Sequence, residues 1–327
     1  MDKLNVNVIA LRSGFIWGGN ALILVLLSLP FFSAQQWWLD NLSNLQWQWS
    51  LCAGLLIVIN IIYRLRFYTL LSGLLVMLII NQQWFLYQPQ QTSLEEAQTL
   101  NIGQFNISYT NPYFNELLPQ LGESDLDVIV LQEASDKQGL NLSLLLQYYP
   151  YSLGLESLNG TPSGLALFSR WPIIESKSHQ LNAEKTHILE VVIQSPKSQT
   201  PVQIYAIHPV SPRNEQLWLQ RNKTFVYLSE LVSESLLDNK IIIGDFNSSH
   251  WSSAFKKLQR NTALKNSAAG FGYIPSWSHG GLHGWWPMLS AYVDHCLISP
   301  QMAVLNKYQQ IMPGSDHRLI KTLLAIP

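Results

Sequence analysis

The sequence predicts an α/β domain preceded by three transmembrane helices, and three observations carry that reading. Residues 1–90 hold only Lys3, Arg12, Arg64 and Arg66 as bases and only Asp2 and Asp40 as acids, within a 327-residue chain whose charged share is 13%. That share is about half of what a soluble globular protein carries, and the deficit sits in one place. After residue 100, short β-branched or apolar runs alternate with amphipathic stretches, the pattern of an α/β fold. Between the two parts, residues 89–99 are polar, open on a proline and read as a linker.

The first part, residues 1–88, contains apolar runs at about 8–32, 47–63 and 67–86. Their lengths approach the roughly 20 residues that cross a hydrocarbon layer, and the second needs its tryptophan shoulder in the interface. Trp37, Trp38, Trp47, Trp49 and Trp84 stand at run ends, where an aromatic belt places them. Lys3 and Arg12 precede the first run and Arg64 and Arg66 lie between the second and third, while the intervening 33–48 segment has no base. The positive-inside rule then puts the N-terminus in the cytoplasm and everything after Gln88 on the extracytoplasmic side of the cell (inner) membrane. A cleaved signal peptide ending near Phe32-Ser33-Ala34 is the rival reading, and it leaves the later domain on the same side.

Residues 100–327 form the second part. Leu100–Ser108 reads as a strand, Pro112–Leu121 as a helix, Leu126–Gln132 as a buried strand and Leu140–Tyr149 as a helix. Gly164–Ser169 is a strand ended by Trp171-Pro172, and Ile188–Ile193 alternates toward a hairpin with Val202–Ile207. A long amphipathic helix follows over about Arg213–Leu237, with Trp218, Phe225, Leu228 and Val232 on one stripe. Cys52 and Cys296 have neither metal nor redox spacing and read as small apolar fillers. This part has 16 Lys and Arg against 19 Asp and Glu, so no basic surface advertises nucleic acid.

Chemistry concentrates where Ile241-Ile242-Ile243 meets Gly244-Asp245-Phe246-Asn247. Three β-branched residues in a row fit a strand buried on both faces, and Gly244 lets the chain turn sharply at its end. Asp245 and Asn247 combine an acceptor-only carboxylate with an amide, a pair able to hold a water and grip an oxygen. A plain turn uses the same residue types. Other strand ends are polar too: Phe105-Asn106, Leu131-Gln132-Glu133, Ile207-His208, Val293-Asp294 and Ser315-Asp316-His317. Each is bland by itself.

Together, in this order and spacing, they resemble the endonuclease/exonuclease/phosphatase superfamily with its deoxyribonuclease I-like fold, over about Leu100 to Ile326. The membrane segments in front resemble a bacterial group within it. The resemblance implies a four-layer α/β sandwich, two mixed sheets face to face with helices outside, and a site where the strand ends converge. It implies Mg²⁺, with Mn²⁺ as the other candidate, bound by Glu133 with Asn106 and Asp316 beside it. It also implies His317 oriented by Asp294, Asp245 on the attacking water, Asn247 on a phosphate oxygen and His208 at the phosphate or the leaving group. Many members carry an acid where Ser108 stands, which weakens a second metal position, so the resemblance does not choose between one metal and two.

The function expected is hydrolysis of a phosphodiester, nuclease-like, by a membrane-anchored enzyme. The alternatives are a phospholipid or sphingolipid head-group phosphodiesterase or phosphatase, or an inactive membrane-tethered binding module. Nothing in the sequence points to a protein partner. Trp285, Trp286 and Met288 are expected at the substrate mouth, touching the bilayer.

Overall fold

The computed structural model describes residues 2–62, 66–88, 97–134, 141–155, 164–181, 186–197, 200–281 and 290–327. The loop holding Trp285, Trp286 and Met288 lies outside these residues, as does most of the 89–99 linker. Four helices open the chain: α1 (Asp2–Phe32), α2 (Trp37–Ser43), α3 (Gln46–Ile62) and α4 (Arg66–Gln83), the last running into a 3-10 turn at Trp84–Tyr87.

Among the described residues, two stretches are long and apolar enough to cross a membrane, Gly14–Phe32 and Leu70–Tyr87. The expected third span, α3, reaches that length only if counted with α2, from which it is bent by 64°. The start of α3 is polar and faces protein. Gln46, Gln48 and Ser50 are buried there among polar partners: Gln46 Nε2 donates to the Leu26 carbonyl at 2.8 Å and Gln83 Nε2 to Ser50 Oγ at 3.1 Å. Deeper in the bundle, Asn60 Nδ2 donates to Asn20 Oδ1 and to Ser72 Oγ, both at 3.0 Å. One amide thereby ties α1, α3 and α4 together, as polar side chains do between apolar helices.

The second part is built on two six-stranded mixed sheets. The first uses β1 (Gln98–Asn106), β2 (Val128–Gln132), β3 (Tyr151–Leu153), β4 (Ala166–Ser169), β13 (Ala303–Ile311) and β14 (Arg318–Ile326), in the order β13-β14-β1-β2-β4-β3. The second uses β5 (Ile173–Leu181), β6 (Thr186–Gln194), β7 (Pro201–Ile207), β8 (Lys240–Asp245), β9 (Lys265–Asn266) and β12 (Asp294–Ile298), in the order β5-β6-β7-β8-β12-β9. A two-stranded ribbon pairs β10 (Trp277–Ser278) with β11 (Ser290–Ala291). The pairs β1–β2 and β7–β8 are parallel and the remaining ladders antiparallel.

Alternation along the strands makes the layers. Leu100, Ile102, Val128 and Val130 of the first sheet share one apolar cluster with Val191, Ile204, Ile241 and Ile243 of the second, so the sheets pack face to face. On the outer face of the first sheet, Ile129, Leu131 and Phe168 pack against Leu117 and Leu121 of α5 (Phe114–Gly122). On the outer face of the second, Tyr205 and Ile242 pack against Phe225 and Leu228 of α6 (Glu215–Glu234) and Phe255 and Leu258 of α7 (Ser253–Thr262). Ile242 thus faces one helical layer while its neighbours Ile241 and Ile243 face the other sheet, which is why three isoleucines stand in a row. The arrangement is an α/β fold of four layers.

Two local expectations need correction. Of the helix expected over Leu140–Tyr149, Leu140 lies outside the described residues, Asn141 and Leu142 are α-helical, and Ser143–Gln147 tightens into a 3-10 run before Pro150. Strand β5 has no counterpart in the expected elements. As an edge strand with Glu175, Ser176, Lys177 and Ser178 exposed, it carries no apolar alternation to read.

The helical part sits on the sandwich. Asn41 Nδ2 donates to the Pro212 carbonyl at 2.8 Å, Ser249 N to Asn44 Oδ1 at 3.0 Å, and Trp251 Nε1 to the Gln82 carbonyl at 2.9 Å. Trp47 stacks on Tyr273 with ring centres 4.6 Å apart. The segment after α1 and the end of α4 therefore meet the same domain.

Candidate active site

Strand parity places the polar residues. Leu100 and Ile102 of β1 face the inter-sheet core, and the same face continues through Gln104 to Asn106. On β8 it runs Ile241, Ile243, Asp245, on β12 Ile298, Cys296, Asp294, and on β7 Val202, Ile204, Ala206 and then His208. The apolar layer between the sheets thus turns polar at its end, beside a cleft of about 990 Å³ that His208 and Asp245 line directly. Gly244 makes this possible on β8. At φ 148° it lies against the Ile207 carbonyl oxygen, which an added Cβ would meet at 1.9 Å.

Asp245 is the hub. Its Oδ2 is 3.2 Å from Asn106 Nδ2, 3.7 Å from His208 Nε2 and 3.7 Å from His317 Nε2. Its Oδ1 accepts from the backbone N–H of Asn247 at 2.8 Å. Asn106 Nδ2 also donates to Glu133 Oε1 at 3.0 Å, and His208 Nε2 lies 3.9 Å from the same oxygen. His317 Nδ1 bonds to Asp294 Oδ2 at 2.8 Å, and Ser276 Oγ accepts from the Asp294 N–H. Asn247 Nδ2 donates to the Pro209 carbonyl at 3.0 Å, which joins the turn after β8 to the turn after β7. Glu133 at φ 58° and Asn247 at φ 49° are both left-handed, a conformation uncommon outside glycine that concentrates at functional sites.

Electrostatics follow from the pairing. Asp245 and Asp294 are direct partners on adjacent antiparallel strands, two buried carboxylates side by side. Burial, then Asp294, push the Asp245 pKa up against the pull of His317 and His208. Burial works against charge on His317, yet Asp294 and then Asp245 outweigh it and lift its pKa to about 10. His317 is accordingly an imidazolium at neutral pH.

Of the eight residues expected at the site, Asn106, Glu133, His208, Asp245, Asp294 and His317 form one connected network. Asn247 joins it through its backbone. Asp316 lines the same cleft, but its Oδ2 accepts from Trp277 Nε1 at 2.8 Å and its backbone faces β10. The donor set fits a divalent cation. Three carboxylates, Glu133, Asp245 and Asp294, meet two histidines, Asp294 Oδ1 is buried with no hydrogen-bond partner, and the carboxylate ligands are hard oxygens. Asp245, Asp294 and His317 also offer ligand atoms within 4.8 Å of one another. In that group His317 Nδ1 is already paired with Asp294 Oδ2 at 2.8 Å, whereas Glu133 lines the open cleft.

Sequence reasoning missed Asn41, Asn44 and Leu45, which line the cleft from the helical part, and Arg221, whose Nη1 donates to the Asn247 carbonyl at 3.1 Å. Only the arginine left a trace, as a charge lying three residues from Trp218 on the stripe of α6.

Residues 103–317 match the sequence pattern of the Endonuclease/Exonuclease/phosphatase family, and the chain belongs to that family. Enzymes of this family hydrolyse phosphoester bonds and depend on divalent metal. Among solved structures it is similar to mannosyl-6-phosphatase Bt3783 of Bacteroides thetaiotaomicron, with a TM-score of 0.54 at 14% identity over 69% of this chain and 100% of that one. It is likewise similar to sphingomyelinase C of Streptomyces griseocarneus, with a TM-score of 0.53 at 13% identity over 70% and 100%. A third is a beta toxin variant of Staphylococcus aureus with bound magnesium ions, with a TM-score of 0.53 at 17% identity over 69% and 99%. No curated protein matches by sequence.

Proposed function

We propose that the chain is a membrane-anchored, Mg²⁺-dependent phosphodiesterase of nuclease-like chemistry, with its catalytic domain on the extracytoplasmic side. The observation that carries this reading is Asp245 set between His208 and His317, each 3.7 Å from its Oδ2. Asp245 takes the proton of a water as that water attacks phosphorus, and its raised pKa makes it a better base. The His317 imidazolium, fixed by Asp294, and the second N–H of the Asn247 amide face the negative charge that grows on the phosphoryl oxygens. His208 gives a proton to the departing oxygen. Glu133 and Asn106, with Asp316 at the edge of the cleft, would hold a divalent cation, which when bound would supply Lewis-acid stabilisation of that charge.

A second reading has its own observation. Asn41, Asn44 and Leu45, from the segment between two apolar helices, form part of the cleft wall, which favours a phosphodiester in a lipid head group. The test uses full-length protein in lipid nanodiscs with bis-p-nitrophenyl phosphate. Turnover that needs Mg²⁺, stops with EDTA and is lost in His317→Ala supports the proposal, and absence of metal-dependent turnover refutes it. Rates on single-stranded DNA, RNA, phosphatidylcholine and sphingomyelin then separate the two substrate classes.

A further inference from the structure

Arg221 stands in the middle of α6 with its side chain 1% exposed, a burial that a guanidinium tolerates only when it is paired. Its partner is Asp40 of α2, 2% exposed, which receives Arg221 Nη2 and also Trp218 Nε1 at 3.0 Å. Asp40 is one of only two acids in the first 90 residues. The other terminal nitrogen of Arg221 holds the Asn247 carbonyl, and the Asn247 N–H in turn holds Asp245 Oδ1. A buried relay therefore runs from a helix in the apolar part of the chain to the hub of the cleft. The same stretch pins the turns around Asn247, because Asn41 bonds to Pro212 and Asn44 to Ser249.

We propose that Asp40 is a positioning residue for the active site: through Arg221 it sets the left-handed Asn247 turn and the orientation of the Asp245 carboxylate. On this view α2 is a working part of the catalytic centre as well as a connection between apolar helices. The inference rests on the phosphodiesterase reading for its kinetic test but has a structural test of its own. A purely adhesive role for the ion pair predicts something different. Buried ion pairs replaced by apolar residues of similar volume often keep or gain stability, so an adhesive pair is replaceable without loss of rate.

The experiment compares full-length wild type, Asp40→Asn, Asp40→Glu and the double variant Asp40→Leu/Arg221→Met in nanodiscs. The measurements are the thermal midpoint, kcat and KM on bis-p-nitrophenyl phosphate, and hydrogen–deuterium exchange of the peptide covering 244–249. For Asp40→Asn, kcat falls about 10- to 100-fold with KM within about threefold, since the displaced groups act on the transition state. Asp40→Glu recovers part of kcat. In the double variant the midpoint returns to that of wild type while kcat stays low and exchange over 244–249 is faster. Recovery of kcat in step with the midpoint, or exchange equal to wild type, overturns the proposal. The exchange result stands whether or not this substrate is turned over, so failure of the relay and failure of the functional reading are told apart.

Discussion

Gly244→Ala tests how tightly the strand ends are assembled. Gly244 is paired with Ile207 in the parallel β7–β8 ladder, and the residue after Ile207 is His208. At φ 148°, an added Cβ would lie 1.9 Å from the Ile207 carbonyl oxygen, 3.0 Å from its carbon and 3.2 Å from its nitrogen. A carbon–oxygen contact relaxes only near ~3.3 Å, so the two backbones must part by more than 1 Å, about the size of that gap. The side chain also meets a backbone region open almost only to glycine, at about 1–3 kcal/mol, and the ladder loses a hydrogen bond or two at about 1 kcal/mol each. The total is about 2–5 kcal/mol, on the order of 10 °C in the melting midpoint of a domain this size. The same parting moves His208 from its 3.7 Å separation to Asp245. A displacement of ~1 Å at reacting groups lowers rate about 100-fold, so kcat/KM on bis-p-nitrophenyl phosphate falls on that scale even in the folded fraction. Gly54→Ala in α3, where an added Cβ meets nothing within 4 Å, is the control and leaves both quantities in place. A Gly244→Ala protein that melts within 3 °C of wild type, about 1 kcal/mol, and turns over within threefold would refute the close-approach argument.

Further predictions concern three other places. Lys307 is buried with Nζ bonded to Ser267 and Thr322, and burial brings its pKa down to about 8. The folded protein releases this proton before the unfolded chain does, so stability rises as pH climbs from about 8 toward 10.5. Lys307→Met should abolish that rise in urea melts and add about 1–3 kcal/mol at pH 7; a slope that persists would assign it to another group. Glu133→Gln should raise the Mg²⁺ concentration for half-maximal activity at least tenfold, and an unchanged midpoint, by kinetics and by calorimetry, would place the metal elsewhere. Asn60→Leu removes the amide that links α1, α3 and α4, with an expected loss of about 1–2 kcal/mol in detergent unfolding. No loss would mean that apolar packing alone holds these helices.

The sandwich was legible where one residue type serves one physical task. Ile241-Ile242-Ile243 announced a strand covered on both faces, and both faces are covered. The stripe of Trp218, Phe225, Leu228 and Val232 announced the buried side of α6, with Asn214 capping its start through a 2.9 Å bond to the Leu217 N–H. The polar strand ends converge because they continue an apolar face by parity, a rule that needs only the sequence. Strand β5 was not legible, since exposure at the sheet edge erases the periodic signal. For the span expected over 47–63, hydropathy does not register that Gln46, Gln48 and Ser50 of α3 are turned toward polar partners.

The contact between the helical part and the cleft escaped sequence reasoning for a different reason. Asp40 and Arg221 are 181 positions apart, and neither lies in a motif. Their meaning comes from the cost of burying either charge without the other, several kcal/mol per ion, which no local pattern records. The same logic applies at the hub. Asp245 and Asp294 are set side by side out of water, and Glu133 and Asn247 hold left-handed backbones. Each feature costs the fold stability, and the imidazolium of His317 offsets only part of the negative charge. A site arranged this way gains most from a ligand that carries positive charge into it, so divalent cation should raise the melting midpoint of wild type. Asp245→Asn, with the like-charge pair removed, should then melt higher than wild type without metal and gain less when metal is added. Equal gains in both proteins would show that the carboxylate pair is not what the cation relieves.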